Sequence, residues 1–249
     1  MWKNANADYH LLSQVLFGES VRIINVKNKK WVRVACMWDG QLGWMHPSHL
    51  YIIDEAAFRK IKNHRNYNLE LIYGIISNNM SIPITIGADL HHFDGINVRM
   101  PFGKFQFSGQ VFSAESTDIN ENLLIKISNK FLHAPEMNGG RSILGVDNAA
   151  FIQLLFKFVG ISLPRKAMDQ AQKGEDIGFV NFAQIGDLAF FTKGNNEQIC
   201  HVGMLTGEQS IIHVHGKVKI DQLDQQGIFD LETRRYTYKL RTIRRLINF

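Results

Sequence analysis

The sequence predicts an α+β protein in which two small β-barrels precede a domain of helices and antiparallel strands. Three observations carry this. Short alternating strands broken by turn residues fill the first part of the chain. A helix apolar on nearly every side, Phe151 to Val159, lies in the second part, and such a helix is a buried one. Strand patterns joined by Thr206-Gly207-Glu208 follow it.

Residues 1–54 read as the first barrel. Gly18-Glu19 marks a turn, Val21 to Val26 a strand and Asn28-Lys29-Lys30 a second turn. Trp31 to Cys36 alternates as a half-buried strand does. Asp39-Gly40 is a hairpin signal ahead of Gly43-Trp44-Met45. Trp31 and Trp44 are expected in the barrel core.

Residues 55–115 read as a connector, helical or irregular, and a second, divergent barrel. Its strand patterns are Ile82 to Leu90 and Phe105 to Phe112.

Residues 116–249 read as the α+β domain. Ser116 or Thr117 can cap a helix through Phe131, with Leu123, Leu124, Ile127 and Phe131 at helical spacing. In the central helix Asp147 or Asn148 can cap the free amides of the first turn. Gly160 suits the left-handed position after the last turn. Ile185 to Phe191, His201 to Leu205 and Ile211 to His215 read as strands, with Asp187 bonding backbone amides at a turn.

Composition narrows the function classes. A length of 249 residues suits one large domain or two to three small ones, and 45% hydrophobic residues suffice for packed cores. The net charge of +5 is mild; it suits a polyanionic surface such as a cell wall and equally an ordinary solubility charge. Arg234, Arg235, Arg241, Arg244 and Arg245 alternate with apolar residues, so they read as a solvated strand face and no nucleic acid is expected. Cys36 and Cys200 lie in apolar runs without metal-knuckle spacing, which reads as two buried free thiols, with a disulfide between them as the alternative. No run is long enough to span a membrane. Met1-Trp2-Lys3-Asn4 lacks a signal-peptide core. The expectation is a cytoplasmic protein, or an envelope or periplasmic one whose export signal has been removed.

Two sets of motifs carry a resemblance. Gly18-Glu19, Trp31 and Gly43-Trp44 resemble a bacterial SH3-like domain of cell-wall hydrolases. Ala134-Pro135, Gly139-Gly140-Arg141-Ser142, Gly160 to Arg165, Gln170, Gly186 to Phe191, His201 to Met204 and Ile211 to Gly216 resemble the NlpC family of papain-like cell-wall peptidases. The layout is similar to that of murein endopeptidases cutting between γ-D-glutamate and a diamino acid. The resemblance implies a Cys nucleophile at the start of the central helix, a His base and a second His orienting it. A thiolate near an oriented imidazole is what acyl transfer requires. His201 falls at the base position and His213 at the orienting position.

The nucleophile position is Asn148, followed by Ala149 and Ala150. A carboxamide nitrogen is not nucleophilic at neutral pH, and losing a triad nucleophile costs on the order of 10⁶ in rate. Cys200, next to His201 in a strand pattern, points to the opposite face. The family's aromatic positions before Gly139-Gly140 hold Glu136 and Asn138, and its acid and Tyr in the SH3-like domain are replaced by His10 and Gln41. The resemblance thus implies a degenerate site, with His10, Gln41, Glu136, Asp147 and Ala149 as its binding residues. Asn148 is expected within hydrogen-bonding range of His201.

The leading expectation is an inactive homologue that binds a murein peptide or a protein partner, without cofactor. One alternative is an active hydrolase or amidase using another group, such as metal-bound water on His201, His213 and His215. The other is a pure interaction scaffold.

Overall fold

The computed structural model describes every residue except 7–9, 64, 79, 116 and 249. The expected cap Ser116 lies outside the described residues. The chain divides into two compact units, Met1–Asp118 with Lys157–Ile161, and Ile119–Phe156 with Ser162–Phe249.

The first unit opens with an antiparallel sheet of β1 (Val21–Lys27), β2 (Trp31–Cys36) and β3 (Leu42–Met45). Asn28 and Lys29 both take φ of 53° in the turn between β1 and β2. The core of this sheet is Val32, Val34 and Cys36 with Met1. Trp31 and Trp44 are only half-buried, a correction to their expected core positions. Trp31 instead meets the edge of His46.

Helix α1 (Glu55–Ile61) is capped by Asp54, whose Oδ1 accepts from the Ala57 amide at 2.7 Å. The strands β4 (Asn66–Asn68), β5 (Ile72–Ser77), β6 (Met80–Thr85), β7 (Asn97–Met100), β8 (Gly103–Gln106) and β9 (Val111–Ser113) follow. They form a four-stranded sheet in the order β6-β5-β8-β7 and a β4-β9 pair. Ile75, Ile84, Leu90, Val98, Phe105 and Phe107 make a second apolar core. Lys157, buried, donates to Glu19 at 2.7 Å and to the Gly87 carbonyl at 2.8 Å, and its ammonium pairs with the Asp89 carboxylate at 2.6 Å. Gly160 takes φ of 77° and donates its N–H to the Lys157 carbonyl, closing the preceding helix.

In the second unit α2 (Glu121–Lys130) is capped by Asn120, not by Thr117: Asn120 Oδ1 accepts from the Leu123 amide at 3.0 Å. The short pair β10 (Arg141–Ser142) and β11 (Gly145–Val146) leads into α3 (Asn148–Phe158). Helix α4 (Ala167–Gln170) and β12 (Glu175–Asp176) precede the main strands. These are β13 (Leu188–Thr192), β14 (His201–Gly207), β15 (Ser210–His215), β16 (Lys217–Leu223), β17 (Gly227–Asp230) and β18 (Arg235–Arg245). Consecutive strands pair antiparallel from β13 to β17. The long β18 pairs β13 through one segment and β17 through another, closing the sheet into a small barrel.

Val180, Ala189, Phe191, Leu205, Ile211, Leu223, Ile228 and Ile243 form one cluster on this sheet. The alternate residues Leu188, Phe190, Val202, Met204 and Ile212 are also buried. Both faces are therefore covered, which explains why β13 to β15 read as near-continuous apolar runs. Phe151 on α3 meets the edge of Phe131 at 5.5 Å, and Leu154, Leu155 and Phe156 are fully buried. Among the β18 arginines, Arg235 and Arg241 are exposed as expected. Arg245 is not a free surface charge, since it clamps Asp187 through Nε at 2.9 Å and Nη2 at 2.8 Å.

Candidate functional site

The start of α3 is built by Asp147. Its Oδ1 accepts from the Ala150 amide at 2.9 Å, which makes Asp147 the cap. Asn148 is the first helical residue instead. Asp147 Oδ2 also accepts from the Gly139 amide at 3.0 Å. Arg165 grips the same carboxylate with two nitrogens, at 2.9 Å and 2.5 Å. A fork matched to both oxygens fixes direction as well as charge. The loop from Gly160 to Arg165 is further held by two buried amides. Gln153 donates to the Leu163 carbonyl at 2.8 Å, and Gln170 donates to those of Pro164 at 2.8 Å and Ala149 at 3.0 Å.

The loop ahead of α3 needs glycine. A Cβ on Gly140 would stand 2.4 Å from the Gly145 carbonyl oxygen, and one on Gly145 would stand 2.7 Å from Met137 Cβ. Asn148, half-buried, therefore sits at the amino end of a rigidly supported helix.

The histidines come from the sheet. Phe191 pairs with His201, Gly203 with His213, and His213 with Lys219. Paired residues share a face, so His201, His213, Lys219 and Asp221 point to one side of the sheet. Gly203 makes the room: a Cβ there would meet His213 Cβ at 2.9 Å. His201 Nε2 lies 2.9 Å from His213 Nδ1, and His213 Nε2 lies 2.9 Å from Asp221 Oδ2. Lys219 reaches Asp221 at 3.2 Å and Asp230 at 2.5 Å.

Burial holds the His201 imidazole well below its usual pKa, helped by the neighbouring His213. Burial also lowers His213, against the pull of Asp221. Burial opposes the Asp221 carboxylate, but hydrogen bonds from His213, Leu231 and Lys219 outweigh it and keep the group below the usual carboxylate range. At neutral pH the row is thus two neutral imidazoles and one anion.

One face of His201 is covered. The Tyr238 ring stacks on it at 4.0 Å and 9° from parallel. The Tyr238 hydroxyl reaches His215 Nδ1 at 3.2 Å. Burial, with Glu136 and Cys200 nearby, pushes the phenol up to about 12, so it stays protonated.

The expected site residues divide between the units. His10 is exposed and Gln41 half-buried in the first unit; the Gln41 side chain bonds the Leu42 carbonyl at 2.7 Å. Asp147, Ala149, Glu136, Asn148, His201 and His213 belong to the second. Glu136 is exposed, and its Oε2 accepts from the Gly216 amide at 2.6 Å. Ala149 is buried and contributes its carbonyl to Gln170. Among the described residues no hydrogen bond joins Asn148 to His201, which corrects that expectation. The Nε2 of His201 is spent on His213, and its Nδ1 has no hydrogen bond among the described residues.

Cys200 is exposed, not buried, because it stands just before β14. Partial burial nevertheless raises its thiol, so little thiolate forms at neutral pH. Among the described residues no group of three His, Cys, Asp or Glu side chains is placed to hold a metal ion. None of the helices there is long and apolar enough to cross a membrane.

Asp221 and Tyr238 were not anticipated. Asp221 had a signal, since Lys219 and Asp221 are an opposite-charge pair two apart, and so on one face, in the strand pattern Lys217 to Leu223. Tyr238 had none, because β18 alternates basic and apolar residues like a solvated strand.

Comparison with known proteins fits this arrangement. Residues 135–235 match the NlpC/P60 family, and residues 2–50 match the bacterial dipeptidyl-peptidase Sh3 domain. The chain is 26% identical over 226 residues to the gamma-D-glutamyl-L-lysine dipeptidyl-peptidase of Bacillus subtilis (strain 168), covering 83% of this chain and 73% of that one. It is 25% identical over 240 residues to the enzyme of that name from Bacillus cereus, covering 84% and 68%. The crystal structure of an NlpC/P60 family protein from Bacillus cereus shares the fold at a TM-score of 0.79 and 23% identity, covering 95% of this chain and 82% of that one. The chain therefore joins a bacterial SH3 domain to an NlpC/P60 domain and is a homologue of the gamma-D-glutamyl-L-lysine dipeptidyl-peptidases.

Proposed function

We propose that this NlpC/P60 homologue binds a murein peptide without cleaving it. NlpC/P60 is a family of cell-wall peptidases, and its relatives named above act on gamma-D-glutamyl-L-lysine peptides. The observation that carries the reading is Asn148 at the first position of α3, where the family resemblance places the thiol. A helix amino end stabilises a thiolate, but a carboxamide offers it nothing to stabilise. The imidazoles of His201 and His213, at the family's base and orienting positions, are retained and neutral, so a base remains without a group to activate.

Support for binding is the upkeep of the surrounding frame. Asp147, Arg165, Gln153 and Gln170 hold the helix start and its flanking loop by buried hydrogen bonds. Retaining buried polar groups in this number costs stability unless each is matched. Calorimetric titration with a murein tripeptide, with parallel mass spectrometry of the mixture, tests the proposal. Saturable binding with intact peptide is expected. Binding lost entirely, with a protein partner contacting only the SH3 surface, would replace this reading with that of a scaffold.

A further inference from the structure

His201, His213 and Asp221 form a series with a direction. An ionised carboxylate only accepts hydrogen bonds, whereas a neutral imidazole donates from one nitrogen and accepts at the other. Asp221 Oδ2 lies 2.9 Å from His213 Nε2, so His213 carries its proton on Nε2. His213 Nδ1 is then bare. It lies 2.9 Å from His201 Nε2, which must therefore donate. We propose that Asp221, acting through His213, fixes His201 in the tautomer whose Nδ1 is the bare, accepting nitrogen.

Asp221 is a positioning residue in this account, and its own placement is over-determined. Its Oδ1 accepts from the Leu231 amide at 3.0 Å. Its Oδ2 also receives Lys219 at 3.2 Å, and Lys219 is tied to Asp230 at 2.5 Å. Asp230 is held in turn by the amides of Glu232 at 3.0 Å and Thr233 at 2.7 Å. The side chains of His213 and Asp221 are 0% and 1% exposed, so water does not compete for these bonds. The second histidine alone would not set the direction, since either of its tautomers could bond His201. The carboxylate chooses between them.

One consequence concerns ligand chemistry. A bare Nδ1 accepts, so any group that bonds His201 there must be an N–H or O–H donor rather than a carboxylate or phosphate oxygen. This holds whether or not the ligand is a murein peptide, and the test uses no ligand.

The test is a long-range proton–nitrogen correlation spectrum of ¹⁵N-histidine-labelled protein at neutral pH. Both His201 and His213 are expected to be protonated on Nε2. Asp221→Asn combined with Lys219→Met should reverse the series. Lys219 also donates toward the Oδ2 place, so it is removed in the same protein. The Leu231 amide still needs an acceptor, so the carboxamide oxygen keeps the Oδ1 place and the NH₂ turns to His213. A donor facing His213 Nε2 drives that proton to Nδ1, and His201 then carries its proton on Nδ1. A folded protein carrying both substitutions with an unchanged His201 tautomer would overturn the proposal. So would an unsubstituted protein with His201 protonated on Nδ1, a result that stands even where the variant fails to fold. Peptide binding is read separately by calorimetry, so either claim can fail without the other.

Discussion

The ring of Tyr238 lies flat on the imidazole of His201, centroids 4.0 Å apart. The stack joins β18 to β14, two strands that do not pair with each other. Tyr238→Leu keeps much of the apolar area but removes the stack and the bond to His215. Aromatic pairs are worth about 0.5–1.5 kcal/mol beyond area burial. A loss of about 1–2 kcal/mol in urea denaturation is expected, with His201→Leu adding less than its single effect when the two are combined. Full additivity in the double-mutant cycle would show that the stack contributes nothing.

Acid should weaken the second unit through its buried histidines. The folded-state pKa values of His201 and His213 lie below the unfolded value, near 6.5. As pH falls below about 6.5 the unfolded chain gains protons that the folded chain refuses, so stability drops. Each histidine contributes a slope of up to about 1.4 kcal/mol per pH unit. Asp221, whose carboxyl is lowered, has the acid-form sense: its contribution is present above about pH 4 and is lost below that. Denaturation midpoints between pH 5 and 8 check this, and His201→Gln should flatten the slope. An equal slope in the variant would mean that His201 titrates normally.

In the first unit Lys157 supports two carboxylates, and the side chains of Lys157 and Glu19 are 2% and 3% exposed. Burial pushes the Asp89 carboxyl up, and Lys157 is the main group pulling it down. Lys157→Ala would strand both anions, an error that typically costs about 3–5 kcal/mol. Lys126, exposed on α2, serves as the control, with Lys126→Ala expected within about 0.5 kcal/mol of the parent. Comparable midpoints for the two variants would contradict the assigned role of Lys157.

Legibility in the sequence followed the physics of each segment. Strand β2 was readable to the residue because Val32, Arg33 and Val34 alternate between core and solvent and the two valines are β-branched, although Ala35 is buried as well. The cap of α2 was not, since Thr117 and Asn120 are all short polar residues able to cap, and only the folded backbone selects Asn120. Asp187 was read correctly as a turn residue: its Oδ2 accepts the Gln184 amide at 2.8 Å. The clamp from Arg245, 58 positions later, carries no local signal. His201 and His213 emerged only from the family resemblance, because as strand residues they look like ordinary buried histidines. The Asp221 link depends on register across β15 and β16, which no local pattern specifies.

The start of α3 should still favour a thiolate if one is supplied. Asp147 there is neutralised by Arg165, leaving the helix amides as the dominant local field. The thiol introduced by Asn148→Cys is expected to react with iodoacetamide at pH 7 at least tenfold faster than Cys200, whose thiol is raised. Equal rates at the two positions would show that the site no longer activates sulfur.

The central claim is that the absence of a nucleophile at Asn148 leaves this NlpC/P60 domain without peptidase chemistry. Mass spectrometry of murein tri- and tetrapeptides incubated with the protein and with His201→Ala is the direct measurement. The account predicts intact peptide with both proteins. Cleavage by the parent that His201→Ala abolishes would contradict it.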